Sequence, residues 1–232
     1  MSFILPHAEA VKPLPAMRTP NPALAWPAMD PELETLLASL YEEGRGHDAS
    51  TPDRRARLRN VEPDSARLLA VLIRALKPRD ILELGTSNGY STIWLADGAR
   101  AVGARLTSVE VDAGRAGQAE RNLQRAGLRE HVELRLQDAL QTLADAPESS
   151  WDLIFLDAER PAYPSYWPDL LRTLRPGGLL VVDNAISHEH ELSGFRELVE
   201  HEDRVTDSLV PIGAGMLLVV KHQPAPAFRT LD

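Results

Sequence analysis

The chain has no cysteine among its 232 residues, which excludes disulfides, thiolate metal sites and a cysteine nucleophile. That absence fits a cytoplasmic enzyme. Positive charge is the minority sign, with 25 Lys and Arg against 34 Asp and Glu. A net charge of -9 and a pI near 5.3 argue against a nucleic-acid partner and against binding to an anionic membrane. No apolar run approaches the ~20 residues needed to span a bilayer. No basic start feeds an apolar block at the N-terminus, so no signal peptide is expected. The G-x-G-x-x-G fingerprint of dinucleotide sites is missing too. What remains is enough chain for one ordinary domain with a full core.

The stretch that organises the chain is Asp80-Ile81-Leu82-Glu83-Leu84-Gly85-Thr86-Ser87-Asn88-Gly89-Tyr90-Ser91. A short apolar run ends in a Gly-x-x-x-Gly turn, and Ile93 to Ala96 follow at helical spacing, so strand, tight loop and helix are expected. Such a loop builds a nucleotide-binding edge at the carboxyl end of a parallel strand. Glu83 sits inside the strand end, two residues before the first glycine.

Seven prolines (Pro6, Pro13, Pro15, Pro20, Pro22, Pro27 and Pro31) preclude regular structure near the N-terminus, so residues 1–30 form an arm, loose or laid on a neighbour. Residues 31–222 are the single folded domain, and 223–232 a loose tail. Asp30-Pro31 opens a helix with Leu33, Leu36, Leu37, Leu40 and Tyr41 on its apolar face, and Gly44 is expected to end it. Arg54, Arg55, Arg57 and Arg59 then read either as a solvated helix face or as a lid over a cleft. Glu62-Pro63-Asp64 opens a helix that Pro78 stops.

Past the glycine loop, Arg105 to Val111 reads as a second strand containing Glu110, 25 residues beyond Gly85. That is close to the spacing at which a carboxylate takes ribose hydroxyls, and Asp112 is better placed to cap the following helix, Ala113 to Ala126. His131 to Leu136 is a third strand, Trp151 to Leu156 a fourth, and Leu179 to Val182 a fifth. Helices are expected at Pro161 to Leu174 and near Ser193 to His201, with Arg175 to Gly178 as a tight turn. Val205 to Val210 and Met216 to Val220 form a terminal antiparallel hairpin. Strands alternating with helices, then a hairpin, imply a mostly parallel sheet covered on both faces.

Three strand ends carry polar groups: Glu83 with the glycine loop, Asp157, and Asp183 with Asn184. Carboxylates at the ends of buried strands are costly unless something pairs them. Asp157, Asp183 and the Asn184 amide make an all-oxygen set suited to a hard cation such as Mg²⁺.

The acid followed by Leu84-Gly85-Thr86 and Gly89-Tyr90-Ser91 resembles the S-adenosylmethionine (SAM) pocket of class I methyltransferases, specifically the catechol and caffeoyl-CoA O-methyltransferase group. Phe155-Leu156-Asp157-Ala158-Glu159-Arg160 with Tyr163, and Pro176-Gly177-Gly178 through Val182-Asp183-Asn184, resemble the metal-dependent members. The similarity runs from about Asn60 to Val220. It implies a Rossmann-like doubly wound α/β fold with seven strands. It also implies SAM contacts at Val61, Glu83, Gly85, Thr86, Ser87, Gly89, Ser91, Glu110, Asp138, Ala139 and Asp157, and Mg²⁺ on Asp157, Asp183 and Asn184. In that family the residue matching Asp138 reaches the adenine; Asp138 reads equally as a helix cap.

The implied reaction moves the SAM methyl group to a hydroxyl of a small hydroxylated aromatic with vicinal oxygens, and bacterial relatives commonly pair, so a homodimer is expected. Asp157 and Arg160 are the expected catalytic residues. Arg160 departs from the family, which commonly has lysine there. A lysine can be tuned to act as a base, whereas arginine stays protonated and can only stabilise a phenolate or hold an acidic substrate. His188 is either a substitute base or a solvated residue at a helix start. The competing functions are methylation of a hydroxylated nucleoside in RNA, a nicotinamide oxidoreductase, and a SAM-binding protein without turnover.

Overall fold

A computed structural model describes residues 29–223. The proline-rich arm and the loose tail therefore lie outside the described residues, apart from their inner ends. Helix α1 (Pro31–Ser50) starts where Asp30 accepts the Glu32 N–H at 2.9 Å, with Pro31 in the first turn. It runs through Gly44 instead of stopping there. Gly44 is buried, and a Cβ on it would collide with the Asn60 side chain, so this glycine serves close approach and not termination. The six residues gained carry His47 and Asp48 forward over the later site.

Helix α2 (Pro63–Leu76) and strand β1 (Asp80–Leu84) lead into the glycine loop and α3 (Tyr90–Val102). Strand β2 (Arg105–Glu110), α4 (Ala113–Arg125), β3 (Val132–Leu136) and α5 (Ala139–Asp145) follow. Then come β4 (Trp151–Leu156), α6 (Tyr163–Thr173), β5 (Leu174–Val182), α7 (Glu189–Glu200), β6 (Val205–Val210) and β7 (Met216–Lys221). The sheet order is β3-β2-β1-β4-β5-β7-β6, parallel except that β7 runs antiparallel to both β5 and β6. The seven-stranded mixed sheet read from the sequence is borne out.

Successive strand residues face opposite layers, as the pleat requires. Ile81, Leu153 and Phe155 pack with Leu69, Ile73 and Ile93 of α2 and α3, while Leu82, Ile154 and Leu156 pack with Tyr163, Trp167 and Phe195 of α6 and α7. Both faces are thus covered, which explains why the central strands are mostly apolar.

Two local expectations change. Arg175 to Gly178 is no turn between elements: it lies inside β5 as a bulge, because Trp151 pairs with Leu174 but Leu153 with Leu179. The arginine-rich stretch forms only a 3₁₀ turn at Arg54–Ala56 and then an extended strap.

Candidate functional site

Sheet register decides which strand ends meet. Leu84 pairs with Leu156, and Leu156 with Val182, so Gly85, Asp157 and Asp183 follow in a row. The Asp157 N–H donates to Leu84 O (3.0 Å) and the Asp183 N–H to Leu156 O (3.2 Å). On the other side Glu110, the last residue of β2, stands beside Gly85, and Asp138 follows β3. Five carboxyl ends therefore present their groups along one edge, the place where open α/β sheets bind ligands.

A cavity of about 600 Å³ lies there, walled by Gly85, Ser87, Glu110, Asp138, Ala139 and Asp157 of the expected cofactor residues. Val61, Glu83, Thr86, Gly89 and Ser91 do not line it. A larger groove, about 1030 Å³, opens at the amino ends of the strands. In it Asp80 pairs with Arg105 and Arg175, and Glu133 with Arg135. The carboxyl-end cavity is the one lined by the glycine loop and the strand-end acids.

Glu83 works from below the loop. Fully buried, it accepts the hydroxyls of Ser91 (2.5 Å), Thr92 (2.6 Å) and Ser108 (2.6 Å), tying the start of α3 to β2. Burial pushes its pKa up to about 7, against the opposing pull of the three hydroxyls. Because the folded value is raised, the Glu83 contribution to stability is fully present below pH 4.5 and is lost as pH rises through 7, by on the order of 3 kcal/mol. Glu83→Gln keeps an acceptor and loses the charge. Its melting temperature will fall less steeply between pH 5 and 8 than that of the wild type, and equal slopes would show that Glu83 does not titrate there.

The glycine loop needs Gly85 for two reasons: its φ is +104°, and a Cβ would strike the Asp157 carbonyl. Ser87 also adopts a positive φ, +50°, and donates its N–H to Glu110 at 2.8 Å. Glu110 further accepts the N–H groups of Val111 (3.0 Å) and Asp112 (2.9 Å). It is only 7% exposed, yet it lines the cavity. Asp112 caps α4 through the Arg115 N–H (2.8 Å). Asp138 caps α5 through the Gln141 N–H (3.2 Å) and also lines the cavity.

Asp157, Asp183 and Asn184 come together. The Asn184 amide donates to Asp157 Oδ1 (3.2 Å) and to Asp183 Oδ2 (3.1 Å). Asp183 Oδ1 is buried and has no hydrogen-bond partner among the described residues. Burial first, and Asp183 second, hold Asp157 well above the usual carboxylate range; burial raises Asp183 to about 6. Among the described residues no three His, Cys, Asp or Glu gather as a metal cluster. The set here is two carboxylates and one amide. An orphaned buried carboxylate oxygen and two under-neutralised acids nevertheless fit a hard cation.

Arg160 is 3% exposed and donates from Nε to Glu191 Oε2 (2.8 Å), while Arg54 takes Glu191 Oε1 (3.1 Å). Its charge also pulls the Asp157 and Asp183 values down. His188 is half-buried; burial and then Arg160 lower its pKa, and Nδ1 contacts Ser187 Oγ at 2.8 Å.

The arginine-rich stretch, read from the sequence either as a solvated helix face or as a lid over a cleft, forms a strap along this edge. Leu58 O accepts the Ser87 hydroxyl (2.9 Å), Arg57 O accepts Arg115 (3.0 Å), and Asp48 holds the Leu58 and Arg59 N–H groups (2.7 and 2.8 Å). Arg59 in turn pairs with Glu159 (2.5 Å). These contacts join residues up to 100 positions apart, so no local pattern announces them.

A mostly parallel sheet ending in an antiparallel pair, with acids along its carboxyl edge, defines a class I methyltransferase-like protein. The O-methyltransferase family model matches residues 47–222, and the chain belongs to that family. The resemblance read from the sequence is borne out. The chain is 40% identical over 130 residues to a catechol O-methyltransferase of Niastella koreensis, covering 55% of this chain and 58% of the relative. It thus spans little more than half the length of that curated relative. A putative O-methyltransferase from Klebsiella pneumoniae superposes with a TM-score of 0.69 at 31% identity, covering 87% of this chain and 93% of the other. An O-methyltransferase from Bacillus cereus, solved with S-adenosylhomocysteine (SAH), gives 0.66 at 27%, covering 81% and 90%. Neither an oxidoreductase nor an RNA-directed enzyme is favoured by these likenesses. Among the described residues no helix is long and apolar enough to cross a membrane.

Proposed function

We propose that the protein is a SAM-dependent O-methyltransferase, moving a methyl group to one hydroxyl of a small catechol-like acceptor with the help of a divalent cation, Mg²⁺. One observation carries this reading: a single sheet edge joins the Glu110 and glycine-loop cavity to the Asp157, Asp183 and Asn184 set, with an orphaned Asp183 oxygen. When bound, SAM supplies a methyl on a positively charged sulfur, and the cation favours ionisation of the acceptor hydroxyl.

The protein's own part is positioning and charge. Glu110 would take the ribose hydroxyls of SAM, Asp138 and Ala139 would meet its adenine, and the glycine loop would back it. Asp157, Asp183 and Asn184 would hold the cation. Arg160 stabilises the phenolate electrostatically, since a guanidinium does not accept a proton at neutral pH. Burial and then Arg160 lower the His188 pKa, which favours the neutral imidazole that a proton acceptor needs. Holding oxygen, methyl and sulfur in line is an orientation effect.

Incubation with SAM, Mg²⁺ and a panel of phenols, read by mass spectrometry, will yield singly methylated vicinal diphenols. Calorimetry will show SAH binding and no NAD binding; the reverse would end the reading. Support for a cytoplasmic, homodimeric protein comes from the missing cysteine and the proline-rich arm. Light scattering will give twice 25.6 kDa at micromolar concentration, and a 25.6 kDa particle would refute the dimer.

A further inference from the structure

The transfer chemistry does not use the arginine-rich strap, yet the fold constrains one of its side chains at the site. Arg59 lines the same cavity as Asp157 and Glu159. Its φ is +51°, a left-handed conformation that a non-glycine residue adopts only when its surroundings enforce it. Asp48 supplies that enforcement by accepting the N–H groups of both Leu58 and Arg59. The guanidinium, 29% exposed, reaches Glu159, whose own side chain is 62% exposed.

An ion pair with so exposed a glutamate adds little stability, because water solvates the carboxylate nearly as well. It does not account for a strained, strapped arginine beside Asp157. The guanidinium fork does fit an incoming carboxylate in two-pronged fashion, and Glu159 returns to water when displaced. The position selects among ligands. Glu110 and Asp138 serve the β2 and β3 end of the cavity, whereas Arg59 stands at the β4 end, next to the cation set where acceptor oxygens would lie. Arg59, Asp157 and Glu159 line one stretch of the same cavity wall.

We infer that Arg59 determines acceptor specificity by binding a carboxylate on the acceptor, so that the preferred substrate is an acidic vicinal diphenol. This rests on the transferase reading and names its acceptor class. The test uses SAH-loaded protein with Mg²⁺, titrated calorimetrically with 3,4-dihydroxybenzoate and with catechol, alongside kcat/KM for both in the presence of SAM. The wild type will prefer the acid roughly ten-fold, as expected of one charge-assisted contact at a half-exposed site. Arg59→Gln will bring the ratio close to one, and Arg59→Lys will restore part of it.

Equal binding of the two phenols by the wild type overturns the inference, as does a ratio that survives Arg59→Gln. A loss of SAH affinity in place of the acid preference would assign Arg59 to the cofactor's own carboxylate, and also overturns it. If neither phenol is methylated while the acid still binds more tightly, the transferase reading fails and the role of Arg59 stands. If both are methylated without preference, the reverse holds. Binding of neither phenol removes both.

Discussion

Asp157→Asn will silence methyl transfer while making the cation-free protein more stable. Asp157 and Asp183 sit side by side with raised pKa values, burial being the larger cause in each. A carboxylate whose folded pKa is raised lowers stability once the pH passes its unfolded value. In the absence of a cation, ionising the two side by side becomes more unfavourable as the pH rises. Removing one charge relieves the other, so the melting temperature without Mg²⁺ will rise, and more at pH 8 than at pH 5. In the wild type Mg²⁺ will raise the melting temperature, again more at pH 8, and in the variant that gain will vanish. Turnover will fall roughly 10³-fold, the several kcal/mol that a cation contributes to charge stabilisation. SAH will still bind. Full activity of the variant in EDTA would sink the cation mechanism and leave the acids as structural features of the strand ends.

Glu110→Ala will weaken SAH binding by roughly 10- to 100-fold, because charge-assisted hydrogen bonds to a ribose contribute ~1.5–3 kcal/mol. The side chain has a second duty, since it also holds the N–H groups of Ser87, Val111 and Asp112. Its loss leaves three donors without that partner, and the melting temperature will fall as well. Glu110→Gln separates the two effects: one amide oxygen can still serve part of the loop, and affinity will drop less than in the alanine variant. Calorimetry with SAH measures all three proteins. An alanine variant with unchanged affinity would show that Glu110 only braces the loop.

How far the site was legible depends on the range of each interaction. The acid-ended strands and the Gly85 to Gly89 loop are local patterns: alternating faces, a run too apolar for the surface, a glycine where the backbone must turn. Glu83 illustrates the limit. Its place beside the glycine loop suggests a ligand contact, yet its oxygens are taken by Ser91, Thr92 and Ser108, one of which comes from another strand. Gly44 misled in a similar way, because a glycine that ends a helix and one that admits Asn60 look alike in one dimension.

By itself the sequence determined the alternation of strands and helices, the apolar central strands, the turn at Gly85, and the acids at positions 83, 110, 157 and 183. These follow from side-chain periodicity and backbone preference, which act over a few residues. Only the tertiary structure decided that Asp138, Glu110, Gly85, Asp157 and Asp183 share one edge, because that depends on strand order and register. It likewise decided that β7 lies between β5 and β6, that residues 175–178 bulge within a strand, and that Arg59 pairs with Glu159 on the cavity wall it shares with Asp157. Those outcomes rest on contacts between distant segments, whose favourable energy appears only after the sheet has brought them together.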